Sequence, residues 1–231
     1  INLNTLLRHG VFNDVTMVDF VAARLGDEQS IRKAKAFPYQ LLMAYQAAKQ
    51  EMPVVISEAL QDALEHSLVN VPHLAGKKVV VCPDVSGSMQ SPATGFRKGA
   101  TTSVRCIDVA GLVAAAMLRS NPETIVLPFE NEVVDIRLNG RDSVMTNAKR
   151  LANIGGGGTN CSAPLAWLVK QKTPVDVVIF VSDNQSWMDA KGHGATTTMH
   201  HWAEIKRRNP QAKLVCIDIQ PYANSQAAER E

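Results

Sequence analysis

The stretch VVVCPDVSGSMQSP, residues 79–92, decides the fold. Val79 to Cys82 run apolar without alternation, the pattern of a strand buried on both faces of a sheet. The run then breaks into Asp84-Val85-Ser86-Gly87-Ser88, with a carboxylate and two hydroxyls at alternate positions. A surface turn would accept almost any polar residues. Three oxygen donors at a strand end ask for a ligand.

Outward from this stretch, four more short runs rich in Val and Ile follow the first at 77–85: TIVLPFE (124–130), VVDIRL (133–138), VDVVIFVSD (175–183) and AKLVCIDIQ (212–220). Helical patterns lie between them: IDVAGLVAAAMLRS, DSVMTNAKRLAN, SAPLAWLVKQK and HHWAEIKRR. Strands alternating with helices predict a doubly wound, mostly parallel α/β sheet covered on both sides. PFENEVVDI predicts strand, turn and strand, which gives one antiparallel edge.

Residues 1–73 carry a different period. MVDFVAARLGD places Val18, Val21, Ala22 and Leu25 at helical spacing, with Gly26 as a stop. SIRKAKAFPYQLLMAYQAAKQ repeats the pattern, with Pro38 opening a helix around Tyr39 to Gln50. PVVISEALQDALEHSLVN sets Val55, Ala59, Ala63 and Leu64 on one stripe, with Ser57 as a cap. VNVPHLAGKK connects this helical segment to an α/β domain at 74–231. The basic residues Arg32, Lys33 and Lys35 read as a solvated helix face in preference to a phosphate site. Lys206 to Arg208 read as the basic end of a helix.

Composition bounds the function. The 231 residues are 45% hydrophobic and 20% charged, as in an ordinary globular chain. A net charge of +2 does not argue for nucleic acid by itself. No apolar run approaches the roughly 20 residues of a membrane span, and no signal-peptide pattern opens the chain, so no membrane partner is expected. The four cysteines have no C-x-x-C spacing, and a reduced, cytoplasmic setting is the expectation. The first residue is Ile1, which reads as a piece of something longer.

In an open α/β sheet, ligands bind beyond the carboxyl ends of the strands. Asp84, Ser86 and Ser88 follow the first strand and point one way if the loop is extended. Asp183 follows a later buried strand, and Thr159 follows a run of four glycines that permits close backbone approach. Two carboxylates among neutral oxygens suit a hard divalent cation, with magnesium the best fit and manganese next. No His or Cys cluster has zinc spacing. GGGGTN lacks the Lys-Ser/Thr of a nucleotide-phosphate loop.

At these five residues the sequence resembles a von Willebrand factor type A domain with a metal-ion-dependent adhesion site. That resemblance implies Asp84, Ser86, Ser88, Thr159 and Asp183 as metal positions, and an open coordination position filled by an acidic group of a partner. IRKAKAFPYQLLMAY, followed by VVVCPDVSGSM, GGGGTNCSAPLAW and VIFVSDNQSW, narrows it to the Ro autoantigen (TROVE) family. That resemblance implies that residues 1–73 are the last helices of a HEAT-like ring. It also implies that the full-length protein binds noncoding RNA, with Y RNA and RNA quality control as its setting. Most of that ring, and a last strand and helix after QPYANSQAAERE, would lie outside these residues. Asn160 stands where many members have Asp, which leaves the loop less negative.

The expected function is therefore a binding module and not an enzyme. The alternatives are an intracellular protein-adhesion module without an RNA role and, behind it, a metal-dependent phosphohydrolase. For hydrolysis, Ser86 would need a base, and His193 is the one candidate in sequence. Trp187 and Met188 are expected at the rim, near a bound partner.

Overall fold

A computed structural model of the chain describes residues 3–48, 52–94, 104–183 and 197–220. Five helices come first: α1 (Leu3–Arg8), α2 (Val15–Gly26), α3 (Glu28–Ala34), α4 (Pro38–Ala48) and α5 (Val54–Ser67). Asp14 and Asp27 start α2 and α3 by accepting from the backbone N–H groups of Thr16 and Ser30, each at 2.8 Å. Then β1 (Val79–Pro83), α6 (Cys106–Ser120), β2 (Ile125–Val126), α7 (Val144–Ala152), α8 (Ala163–Gln171), β3 (Val177–Ser182), α9 (Thr197–Arg208) and β4 (Lys213–Asp218) complete the order.

The sheet runs β2-β1-β3-β4, and every pair is parallel. The two-residue strand period divides its side chains between two cores. Val79, Val81, Ile179 and Val181 face a cluster built with α6 and α7. Val80, Cys82, Val178 and Phe180 face another, with Leu165 and Leu168 of α8 and Trp202 and Ile205 of α9. Phe180 meets Phe129 edge to face at 5.5 Å. Strand order reverses between β1 and β3, so the crevice beyond their carboxyl ends is the switch point where such sheets bind ligands.

The helical segment shares the first of these cores. Leu25, Ile31, Leu41, Ile56, Leu60 and Leu64 join the α6–α7 cluster without a break. Glu65 Oε1 accepts from the Val144 N–H at 2.9 Å, so a side chain of α5 caps α7. Asn121 ties the connector down, accepting from Leu74 N–H at 2.7 Å and donating to Pro72 O at 3.0 Å.

Three expectations are corrected. The predicted strand 133–138 is a single antiparallel bridge, Phe129 to Val133. Leu127 and Phe129 donate inward to Val81 O and Pro83 O, so residue 128 faces outward, and Pro128 has no N–H to give. Val134 N–H still donates to Pro128 O at 2.8 Å, but the reciprocal bond is missing and the ladder stops. The buried stripe of α5 is Ile56, Ala59, Leu60, Ala63, Leu64 and Ser67, while Val55 is exposed. Ser57 lies inside that helix, which begins after Pro53, and caps nothing. The remaining helices and strands fall where the patterns placed them, within a few residues, except that the run at 124–130 keeps only Ile125–Val126 as strand. Arg32, Lys33 and Lys35 are exposed, and Lys206 reaches Pro210 O and Ala212 O past the end of α9.

Candidate metal centre

Asp84 follows β1 directly and is fully buried. Its backbone continues the sheet, with Asp84 N–H donating to Val181 O at 2.9 Å. The side chain is held at both oxygens. Ser86 N–H donates to Oδ1 at 2.9 Å, and Ser182 Oγ donates to Oδ2 at 2.7 Å. Even so, burial raises the carboxyl's pKa above the usual aspartate range, and the nearby charge of Asp183 adds to the rise.

Ser86 is 1% exposed, and its Oγ accepts from Thr159 Oγ1 at 2.9 Å. Ser88 Oγ lies 3.2 Å from the same Ser86 oxygen. The loop is not extended throughout. Ser86 is extended, but Gly87–Gln90 forms a 3-10 turn, with Met89 N–H bonded to Ser86 O. The turn brings the two serine hydroxyls together by curling, where an extended chain would have set them side by side.

Thr159 is 1% exposed and ends the glycine loop. Gly87 N–H donates to Gly157 O at 2.9 Å, which joins the two loops through their backbones. A Cβ on Gly87 would stand 3.3 Å from Gly156 O, a tight approach that the glycine loop would have to yield to by a few tenths of an ångström. Asp183 follows β3 and is 2% exposed. Behind the group, burial pushes the Cys106 thiol up to about 11, with the charges of Asp183 and Asp84 contributing.

The structure thus gathers Asp84, Ser86, Ser88 and Thr159 in one hydrogen-bonded set, with Asp183 close enough to act on Asp84. Two buried carboxylates among three hydroxyls is a donor set that fits a hard, oxygen-loving cation. Among the described residues no cluster of three or more His, Cys, Asp or Glu forms. Trp187, Met188 and His193 lie outside the described residues. Asn160 bonds away from the hydroxyl set. Its Oδ1 accepts from Ser162 Oγ at 2.7 Å, and its Nδ2 donates to Asn131 O at 3.0 Å.

Two participants carry little or no signal in the sequence. Ser182 stands in plain view before Asp183, but a strand residue facing its neighbour's carboxylate requires the β1–β3 register to be known. Glu130, whose Oε2 accepts from Gly157 N–H at 2.6 Å, carries no signal at all, because it is 27 residues away in sequence.

Comparison with known proteins agrees with the fold. The chain is 25% identical to the RNA-binding protein RO60 of Deinococcus radiodurans over 253 residues, covering 100% of this chain and 44% of that protein. It is 24% identical to the RNA-binding protein RO60 of Caenorhabditis elegans over 224 residues, covering 90% of this chain and 32% of that protein. The chain therefore spans less than half the length of these relatives. The crystal structure of the Deinococcus radiodurans RO (RSR) protein superposes with a TM-score of 0.79 at 22% identity, over 100% of this chain and 47% of that one, a likeness of fold. Residues 78–228 match the Ro60 vWA domain, well over half the chain. The chain belongs to the Ro (TROVE) family, through its Ro60-type von Willebrand factor type A domain.

Proposed function

We propose that this chain is the metal-dependent binding part of a Ro-like RNA-binding protein. Asp84, Ser86, Ser88, Thr159 and Asp183 hold a divalent cation, directly or through water, magnesium first and manganese second. The cation offers a coordination position to an acidic group of a protein or other ligand, and the partner's carboxylate completes the shell. The observation that carries this reading is the hydroxyl chain Thr159–Ser86–Ser88 beside a buried, electrostatically uncomfortable Asp84. A cation between the two carboxylates would relieve their repulsion.

The relatives named as RNA-binding proteins support noncoding RNA as the partner of the longer protein. Y RNA is the class inferred, and the cytoplasm the setting. Among the described residues no helix is long and apolar enough to cross a membrane. A binding role is preferred to hydrolysis, because the described partners of Ser86 Oγ are hydroxyls and not a base.

Thermal unfolding tests the metal reading. A ligand bound only by the folded chain at a hundred times its dissociation constant stabilises by about 2.7 kcal/mol. Magnesium or manganese should raise the midpoint, chelation should reverse it, and Thr159→Ala should not respond. For the full-length protein, RNA affinity should fall steeply with salt. A flat salt response would favour a protein-adhesion module without RNA.

A further inference from the structure

We infer that Glu130 and Asn131, on the turn after β2, latch the glycine loop and so position Thr159 for the cation; this rests on the metal reading above. Neither residue belongs to the five metal positions. Glu130 Oε2 accepts from Gly157 N–H at 2.6 Å, while its backbone O accepts from Asn160 N–H at 2.8 Å. Asn131 O accepts from Asn160 Nδ2 at 3.0 Å. Thr159 lies inside the span these bonds bracket. On the other side Gly87 holds Gly157 O, so the loop is gripped between the turn after β2 and the loop after β1.

The fit is close. A Cβ on Gly157 would lie 2.6 Å from Asn131 Nδ2 and 2.8 Å from Glu130 Oε2, and one on Gly158 would lie 2.8 Å from Asn131 Oδ1. Those are side-chain ends that can swing away, so a methyl there would open the latch and leave the backbone in place. What holds the loop is an acceptor oxygen at the end of the residue-130 side chain, an oxygen that Gln would keep. Thr159 Oγ1 itself reaches Ser86 at 2.9 Å, so a shift of the loop moves a donor within the hydroxyl chain. Glu130 acts through the loop and is a positioning residue.

The test compares Glu130→Ala, which removes the acceptor, with Glu130→Gln, which keeps a neutral one. Two readouts are taken on the same chain: exchange of the Gly157 amide without metal, and manganese affinity by calorimetry. The latch predicts that Ala speeds the exchange several-fold and weakens manganese about ten- to hundredfold, while Gln stays near wild type in both. Unchanged exchange in the Ala variant overturns the latch. Faster exchange with unchanged affinity overturns its link to the cation. Equal losses in Gln and Ala assign the effect to the charge and overturn positioning. No manganese binding by the wild type overturns the metal reading itself and the link with it, and the exchange then reports on the loop alone. Should Glu130→Ala not fold, Gly157→Ala carries the same expectations.

Discussion

Ser182 Oγ donates to Asp84 Oδ2 at 2.7 Å, across the pair of strands that flank the switch point. Both residues are fully buried. The bond fixes the carboxylate and offsets part of the cost of burying it. Ser182→Ala removes the donor and leaves that oxygen dry. Denaturant unfolding should show a loss of about 1–3 kcal/mol; a loss within error of zero would mean the carboxylate does not need the serine.

Asp84 destabilises the metal-free chain at neutral pH. Its pKa is raised, so the folded state holds a proton that the unfolded chain releases near the ordinary 3.8. This group's contribution therefore favours folding as pH falls through the raised value, and opposes it above. Asp84→Asn should be more stable than wild type without metal at neutral pH, by about 1–2 kcal/mol, because the hydrogen bonds to Asp84 offset only part of the cost of burying its charge. That advantage should shrink toward acid pH, where Asp84 is neutral. Unfolding of both proteins at a series of pH values checks it, and a gap that widens toward acid would refute the assignment.

Gly111 sets how closely α6 and α7 approach. A Cβ there would stand 2.8 Å from Ala148 O and 3.2 Å from Leu151 Cβ, neither of which is a mobile end. Gly111→Ala gains helix propensity but must push the helices apart. The net expectation is a loss of about 1–3 kcal/mol, because overpacking outweighs the ~1 kcal/mol of propensity. A stabilised variant would show that the interface yields.

Glu65 joins the helical segment to the α/β domain through Val144 N–H. Its other oxygen lies 3.7 Å from Arg119, a half-exposed pair that adds little. Glu65→Ala should cost about 1 kcal/mol by loss of the cap, and Glu65→Gln should restore most of it. Thermal unfolding of the two variants decides it, and equal losses in both would give the weight to the charge pair instead.

How much of this is legible in sequence depends on distance along the chain. Val79 to Cys82 and Val178 to Val181 are buried, so their unbroken apolar runs announce a parallel sheet. Asp84, Ser86 and Ser88 are legible because a strand end and a loop are local. Ser182 and Glu130 are not, since their roles depend on which strands and loops become neighbours. The expected strand at 133–138 fails for a local reason that is visible: Pro128 removes the outward N–H that the pairing needs. Its alternation is real, with Val134, Ile136 and Leu138 packed against the first core. The stripe of α5 is misplaced at Val55, because an amphipathic period fixes the spacing better than the phase.

The most direct measurement is calorimetric titration of magnesium and manganese into the wild-type chain and into Asp84→Ala. Saturable binding to the wild type that is lost in the variant is the predicted result. Equal heats in both, or none in the wild type, would contradict a cation held between Asp84 and Asp183.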